Sequence, residues 1–434
     1  MTHHLLLQGD VQTALSILPE ASIHCCVTSP PYYDQRNYGV AGQGGLQATP
    51  GEYLEWLVAV CRDIRRVLRD DGTFWLNIGD GHATKRYEDP IFGTIKENDL
   101  IGIPWALAIL LRKDGWHLRE SVIWHKPNAK PSFCKNKPAA SHEYIFLLAK
   151  SGAPTYWVHR DGRGQRTLPE PDYVWTNAAG EEVDPSANPP GKLRKRNLWE
   201  GADYFYDQEA IKEPLKHPQA QGQLFGGKKF PGNVANATYS GKAYDPSLLT
   251  GRNKQTVWTI PTAGYTGKHT AVFPEDLVRI CIKAGTSEYG CCPACGAPCR
   301  RVTEVGEADL AWQQACGGDK NGGYKGTGKK DYKAAKAEDA SAIKARILKS
   351  MCRKQTVGWD PTCTCSAGAP VPCTVLDPFH GSGTTTLVAR ELRRNSIGIE
   401  LNPASIQEAK ERLGIAAQAV LDTGAVEYEI LVVE

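Results

Sequence analysis

The sequence predicts an α/β protein: a largely parallel sheet covered by helices, with irregular insertions. Three observations carry this. Short apolar runs alternate with amphipathic helical stripes through residues 1–150, and the alternation resumes at 374. A glycine-bearing turn, Asp377-Pro-Phe-His-Gly-Ser-Gly-Thr384, separates one such run from the helix after it. Composition is ordinary for a folded chain of 434 residues, 41% apolar and 23% charged, which excludes disordered, collagenous and fibrous classes. No apolar run approaches the ~18 residues a membrane helix needs. The opening ten residues lack a basic region followed by an apolar core, so no export signal is expected. The balance of 51 basic against 48 acidic residues gives +3; any nucleic-acid surface must therefore be local.

The elements follow in order. Ile23–Val27 is a buried strand ended by Thr-Ser-Pro-Pro. Residues 52–69 carry Tyr53, Leu54, Leu57, Val58, Val60, Ile64, Val67 and Leu68 at helical spacing, and the helix is expected to stop at Asp70-Asp-Gly72. Strands are expected at 73–78, 121–124 and 144–149, with a helix at 101–111 between the first two. From 151 to 262 the pattern breaks into Gly, Pro, Asn and Lys, with basic clusters at Lys192–Arg196 and Lys228-Lys229. A helix is expected over 269–285, with Pro274 in its first turn and Gly285 at its end. A Gly/Lys/Ala-rich segment, expected to be a mobile loop or a helix hairpin, spans roughly 317–347 and carries basic residues from Lys320 to Lys336. Strand 374–377, helix 384–394, strand 396–400 and helix 403–413 complete the chain.

Fourteen cysteines divide into two groups. Cys25, Cys26, Cys61, Cys134 and Cys281 sit in apolar segments and read as buried thiols of a reducing compartment. The other nine lie between 291 and 373. Cys292-Pro-Ala-Cys295 and Cys363-Thr-Cys365 form two close pairs, and four soft thiolates suit tetrahedral Zn²⁺. Cys291, Cys299, Cys352 and Cys373 are substitutes for that ligand set, and reduced free cysteines are the alternative.

Two motifs carry the chemistry. In the first, Asp377, Pro378, Phe379, Gly381, Ser382, Gly383 and Thr384 form a strand-to-helix turn whose glycines let backbone approach a ligand. No Lys-Ser/Thr pair follows the second glycine, so it is no P-loop. Glu400, an acid about 20 residues downstream, ends the next strand and suits ribose hydroxyls. In the second, Thr28-Ser29-Pro30-Pro31-Tyr32 follows a buried strand. Its prolines remove two backbone donors and leave carbonyls free to accept, the Ser29 hydroxyl both donates and accepts, and Tyr32 offers a ring face. Such acceptors beside an aromatic wall match the exocyclic amine of a flipped base.

With these residues the chain resembles the S-adenosylmethionine-dependent amino-methylating DNA methyltransferases, in the permuted order where the catalytic Ser-Pro-Pro-Tyr precedes the cofactor loop. The resemblance also takes in Gly9-Asp10, Gly398-Ile-Glu-Leu-Asn402 and His269-Thr-Ala-Val-Phe-Pro274. It implies a Rossmann-like methyltransferase sheet with Ser29, Pro30, Pro31 and Tyr32 catalytic. Asp10, Thr28, Phe273, Asp377, Pro378, Phe379, Gly381, Ser382, Gly383, Thr384, Glu400 and Asn402 would hold the cofactor, Asp10 at its adenine amine. Trp124 could border the base pocket, though core packing is the better reading for it.

The implied organisation is a catalytic half at 1–150, a target-recognition region at 151–262, a cofactor-pocket helix at 263–290, a Cys-rich zinc insertion at 291–373 and a cofactor-binding half at 374–434. The implied substrate is double-stranded DNA, with a cytoplasmic location in a prokaryote or phage. A cognate restriction endonuclease is the partner such an enzyme can have; oligomeric state and recognition sequence are not readable. Ser at the first motif position favours the N4 amine of cytosine over the N6 amine of adenine. An inactive nucleic-acid-binding module, or methylation of RNA or a protein amide, stay open as alternatives.

Overall fold

A computed structural model describes residues 2–129, 131, 135–150, 173–177, 181, 183–184, 194–197, 204–213, 253–262, 273–305, 354–415 and 426–433. The elements, numbered in chain order, begin with β1 (Thr2–Gln8), α1 (Val11–Ser16), β2 (Ile23–Thr28), α2 (Pro50–Val67) and β3 (Leu68–Ile78). A small hairpin, β4 (Tyr87–Asp89) and β5 (Gly93–Ile95), precedes α3 (Ile103–Lys113), β6 (His117–His125) and β7 (His142–Ala149). Then come β8 (Tyr173–Thr176), β9 (Arg194–Asn197), β10 (Val257–Thr259), α4 (Glu275–Gly285), β11 (Arg300–Val305) and β12 (Lys354–Asp360). The last are β13 (Thr374–Asp377), α5 (Thr384–Glu391), β14 (Asn395–Glu400), α6 (Pro403–Leu413) and β15 (Val426–Val432).

Nine strands form one sheet in the order β10-β6-β7-β3-β2-β13-β14-β1-β15. All pair in parallel except β7, which runs against both β3 and β6. The join that matters is β2 to β13, where Cys25 faces Val375 and Cys26 faces Leu376. From β2 the chain goes on to β3 on one side; from β13 it goes on to β14 on the other. In open α/β sheets that is where ligands sit, beyond the carboxyl ends of the strands. Helices α1, α2 and α3 cover the sheet, and Leu15, Tyr53, Leu54, Leu57, Ile64 and Leu107 are buried in one cluster with Ile23 and Cys26 of β2 and Phe74 and Leu76 of β3. The helical stripe predicted from 52–69 is this buried face.

Contacts divide the chain into two compact units. One comprises Met1–Tyr206, Thr256–Pro298 and Cys363–Glu434 and holds the nine-stranded sheet. The other comprises Asp207–Gln255 and Cys299–Thr362. In it β11 and β12 pair antiparallel, the Arg301 guanidinium lies 4.4 Å from the Trp359 ring centre, and its Nε donates to Asp207 at 3.0 Å. Among the described residues no helix is long and apolar enough to cross a membrane.

The structure corrects several expected boundaries. The helix from Pro50 ends at Val67 because Leu68 turns to extended backbone (φ −70°, ψ 138°), and β3 starts there, not at Thr73. Pro274 is not in the first turn of its helix: it is extended (ψ 142°) and caps α4, its carbonyl accepting from Leu277 and Val278. Residues 269–272 lie outside the described residues. Helix α5 stops at Glu391, since Arg393 takes a positive φ of 58° on the way into β14. Strands β1, β10 and β15 and helix α1 were not predicted as elements. The 317–347 segment, Lys228-Lys229, Lys320–Lys336, Cys134 and Cys352 lie outside the described residues.

Candidate active site

The two motifs, nearly 350 residues apart in sequence, open onto one cavity of about 760 Å³. It lies beyond the carboxyl ends of β1, β2, β13 and β14, within the size range of small-ligand sites. Adjacent strand ends bring them together: the Thr28 hydroxyl at the end of β2 donates to Asp377 Oδ1 at the end of β13, at 2.6 Å. Asp377 is fully buried and accepts also from the Thr385 hydroxyl at 2.6 Å and the Phe379 N–H at 3.1 Å. Burial pushes its carboxyl up to about 6, against the pull of those donors. Neither Asp377 nor Thr28 is among the cavity-lining residues; they lock the loop that is.

Pro378, Phe379, Gly381, Ser382 and Thr384 line the cavity. Gly383 does not, but caps α5 with φ of 86°, the left-handed region a side chain disfavours. Glu400 at the end of β14 reaches under the turn: Oε2 accepts from the Gly381 N–H at 2.8 Å and Oε1 from the Asn402 N–H at 2.8 Å. Burial raises its pKa, and the two amides oppose the shift. Arg412 on α6 clasps the outside of the turn, donating to Thr384 Oγ1 at 2.8 Å and to Glu275 Oε1 at 2.8 Å. That ties the loop to the start of α4, beside Phe273, which faces the cavity. Asp10 lines the cavity and also caps α1, its Oδ1 accepting from Gln12 and Thr13 at 3.0 Å each.

The other end of the cavity is built on Ser29, Pro30, Pro31 and Tyr32, all lining it. Here the structure adds a polar network. The Tyr32 hydroxyl donates to Glu143 Oε2 at 2.7 Å and accepts from Asn77 Nδ2 at 2.9 Å. Asn77 also donates to Ser29 Oγ at 3.3 Å, and Lys126 pairs with the other oxygen of Glu143. Burial first, then the Glu143 charge, pushes the Tyr32 phenol well up, so it stays a neutral donor. The Tyr53 hydroxyl donates to the Pro31 carbonyl at 2.9 Å. Gly79 gives the Tyr32 ring room: a Cβ there would meet Cε2 at 2.7 Å. Trp124 packs in the core, as expected, and also borders the cavity. It is 3% exposed with Nε1 donating to the Ile260 carbonyl, and it lines the cavity with the Lys126 ammonium 4.3 Å from its ring centre.

Asn77, Lys126 and Glu143 were missed in the sequence. Asn77 carried a signal, a lone amide inside the apolar run Phe74-Trp-Leu-Asn-Ile78. Glu143 carried none, since it reaches the site only because β7 runs antiparallel and sets it opposite Trp124. The four cysteines of the expected metal set also converge, their sulfurs all within 4.8 Å of one another.

Comparison with known proteins follows the same outline. The family of N6/N4-type DNA methylases matches residues 23–292 and 370–411, spanning both motifs. The chain belongs to this family. As a DNA methylase it is 28% identical to the type II methyltransferase M.SmaI of Serratia marcescens over 424 residues, 94% of this chain and 90% of that one. It is 29% identical to the type II methyltransferase M.XycI of Xanthomonas campestris pv. cyanopsidis, over 94% of this methylase and 87% of the relative. Among solved structures the cytosine-N4-specific PvuII DNA methyltransferase aligns with a TM-score of 0.46 and 13% identity, over 96% of this chain and 89% of that chain.

Proposed function

We propose that the protein transfers a methyl group from S-adenosylmethionine to the exocyclic N4 amine of cytosine in double-stranded DNA. One observation carries the reading: Ser29 and Pro30 line the same cavity as residues of the 378–384 turn. The residues at the turn fit the cofactor. Glu400 keeps lone pairs for ribose hydroxyls beyond the two amides it accepts from, Asp10 presents a carboxylate for an adenine amine, and Phe273 supplies an apolar wall. When bound, that group supplies a methyl already activated on a sulfonium.

What the chain must add is alignment and exclusion of water. The amine nitrogen of cytosine is a poor nucleophile because its lone pair is delocalised into the ring. Its two N–H groups donating to Ser29 Oγ and the Pro30 carbonyl favour a pyramidal nitrogen and aim the lone pair. Tyr32 gives a face for the extruded base, held in place by Asn77 and Glu143. A stacked base could not reach these acceptors, so the target nucleotide must flip. No covalent bond to the enzyme is needed, and among the described residues no cysteine lines the cavity.

Ser29 stands where adenine-specific members of the family that the chain resembles more often carry Asp or Asn, and this supports cytosine over adenine. The test is mass spectrometry of nucleosides from DNA incubated with the protein and methyl-labelled S-adenosylmethionine. Labelled N4-methylcytosine is expected. Labelled N6-methyladenine would overturn the base assignment, and no labelled nucleoside would overturn the activity.

A further inference from the structure

Outside the cavity, two clusters bring three or more metal-ligating side chains together among the described residues: His24 with Cys291 and Cys373, and Cys292 with Cys295, Cys363 and Cys365. They differ in what is already bonded. His24 is committed, its Nδ1 accepting from the Thr374 N–H at 3.0 Å and its Nε2 meeting the Gly296 carbonyl at 2.8 Å. The four cysteines are free thiols, each able to place its sulfur within 4.8 Å of the other three. Sulfurs held at ~2.3 Å around one zinc ion stand roughly 3.8 Å apart, so this cluster needs only to close slightly.

The backbone is already shaped for it. The Gly296 N–H donates to the Cys292 carbonyl at 2.8 Å and the Cys292 N–H to Ala297, closing the Cys-x-x-Cys turn, with Gly296 at a φ of 69°. Cys291 and Val371 exchange both backbone hydrogen bonds, at 2.8 and 2.9 Å, which joins the two limbs next to their ligands. The turn also rests on the sheet: Arg69 donates to the Cys295 carbonyl at 2.7 Å, and His24 holds that of Gly296. Both residues sit at the amino-terminal ends of their strands, β3 and β2, away from the end that carries the cavity.

We propose that Cys292, Cys295, Cys363 and Cys365 bind one structural Zn²⁺ that pins together the two points where residues 299–362 leave and rejoin the sheet-bearing unit. Four thiolates and no open position favour zinc over hard cations and assign it no catalytic step. Binding deprotonates the thiols, whose protons go to solvent, and the resulting dianionic centre faces the Arg69 guanidinium. Because the ligands bracket residues 299–362 in sequence, the metal closes a loop from Cys295 to Cys363, adding to the backbone pair at Cys291 and Val371 and to the β11–β12 ladder. The proposal is independent of which base the enzyme methylates.

The experiment uses the full chain purified without chelator. Elemental analysis is expected to find about one zinc per chain, and X-ray absorption at the zinc edge four sulfurs at ~2.3 Å with no nitrogen. The double variant Cys363→Ser/Cys365→Ser is expected to lose at least tenfold of that zinc while binding S-adenosylmethionine as the parent does. Zinc far below one per chain in the parent protein, or a shell containing nitrogen, would overturn the assignment. Both readings are made on the parent, so they decide the matter even where the variant fails to fold.

Discussion

On the proposed mechanism, removing the Ser29 hydroxyl takes away an acceptor for the amine nitrogen in the transition state and leaves the cofactor end of the cavity untouched. Ser29→Ala is therefore expected to bind S-adenosylmethionine with unchanged affinity in calorimetry while turnover falls on the order of 10²-fold, the loss seen when one positioned catalytic hydrogen bond is deleted. Equal turnover would remove Ser29 from the chemistry. Glu143 is a different kind of residue, acting through Tyr32. Glu143→Gln keeps an acceptor oxygen but discards the charge that Lys126 pairs with and that raises the Tyr32 phenol. Turnover is expected to drop less than for Ser29→Ala, with the KM for DNA rising as the ring loses its anchor; a KM unchanged within error would contradict the positioning role. Tyr32 was legible from its motif. Its partners were not, because a sequence gives no hint of which strand runs backwards.

At the scale of elements, the turn between β13 and α5 is held from below by Glu400 and from outside by Arg412. Glu400→Ala would strand the Gly381 and Asn402 amides and, on the proposed reading, remove the acceptor for the ribose hydroxyls. Gly383→Asp would force a side chain into a φ of 86°. Each is expected to weaken S-adenosylmethionine binding by roughly tenfold or more, Glu400→Ala because a stranded buried amide alone costs about 1–3 kcal/mol and Gly383→Asp because it distorts the turn that lines the cavity; unaltered affinity would take Glu400 out of the pocket and would show that the turn tolerates a side chain at Gly383. Beneath the turn runs a buried polar string in which His4 Nδ1 meets Ser396 Oγ at 2.8 Å, Ser396 donates to Thr386, and Thr386 meets His380. Burial, then Arg390 and His3, pushes the His4 imidazole down to about 3. The unfolded chain takes up that proton near pH 6.5 and the folded one does not, so stability is full at neutral pH and falls as pH drops from about 6.5 toward 3. Urea midpoints should accordingly decline more steeply with acidification in the parent than in His4→Gln, and parallel declines would contradict the assignment. The string was invisible in the sequence because it joins β1 to β14, elements paired only in the folded sheet.

Across the whole molecule, much of the architecture could be read in advance because buried parallel strands announce themselves as short apolar runs and amphipathic helices as stripes. Strand 374–377 and helix 403–413 fall where expected. The terminal strand β15 did not stand out: Val426-Glu-Tyr-Glu-Ile alternates charge with apolar side chains, a pattern an edge strand tolerates and a core strand does not. The candidate site was legible as two motifs, but not their junction. That junction is one hydrogen bond, Thr28 to Asp377, formed across the β2–β13 pair. Thr28→Val and Asp377→Asn, measured singly and together at pH 7.5 where the carboxylate is charged, are expected to show a coupling of roughly 1.5–3 kcal/mol in unfolding free energy. Additive losses would mean the strand ends are not locked to each other.

In the proposed reaction the serine end and the glycine turn serve one transfer within one chamber. The most direct measurement is a single-turnover assay with labelled S-adenosylmethionine prebound to parent or Ser29→Ala protein, mixed with DNA and read as labelled N4-methylcytosine by mass spectrometry. The parent should convert its bound label to that nucleoside, whereas the variant, equally loaded, should convert on the order of 10²-fold more slowly. Equal rates from equally loaded proteins would contradict the claim.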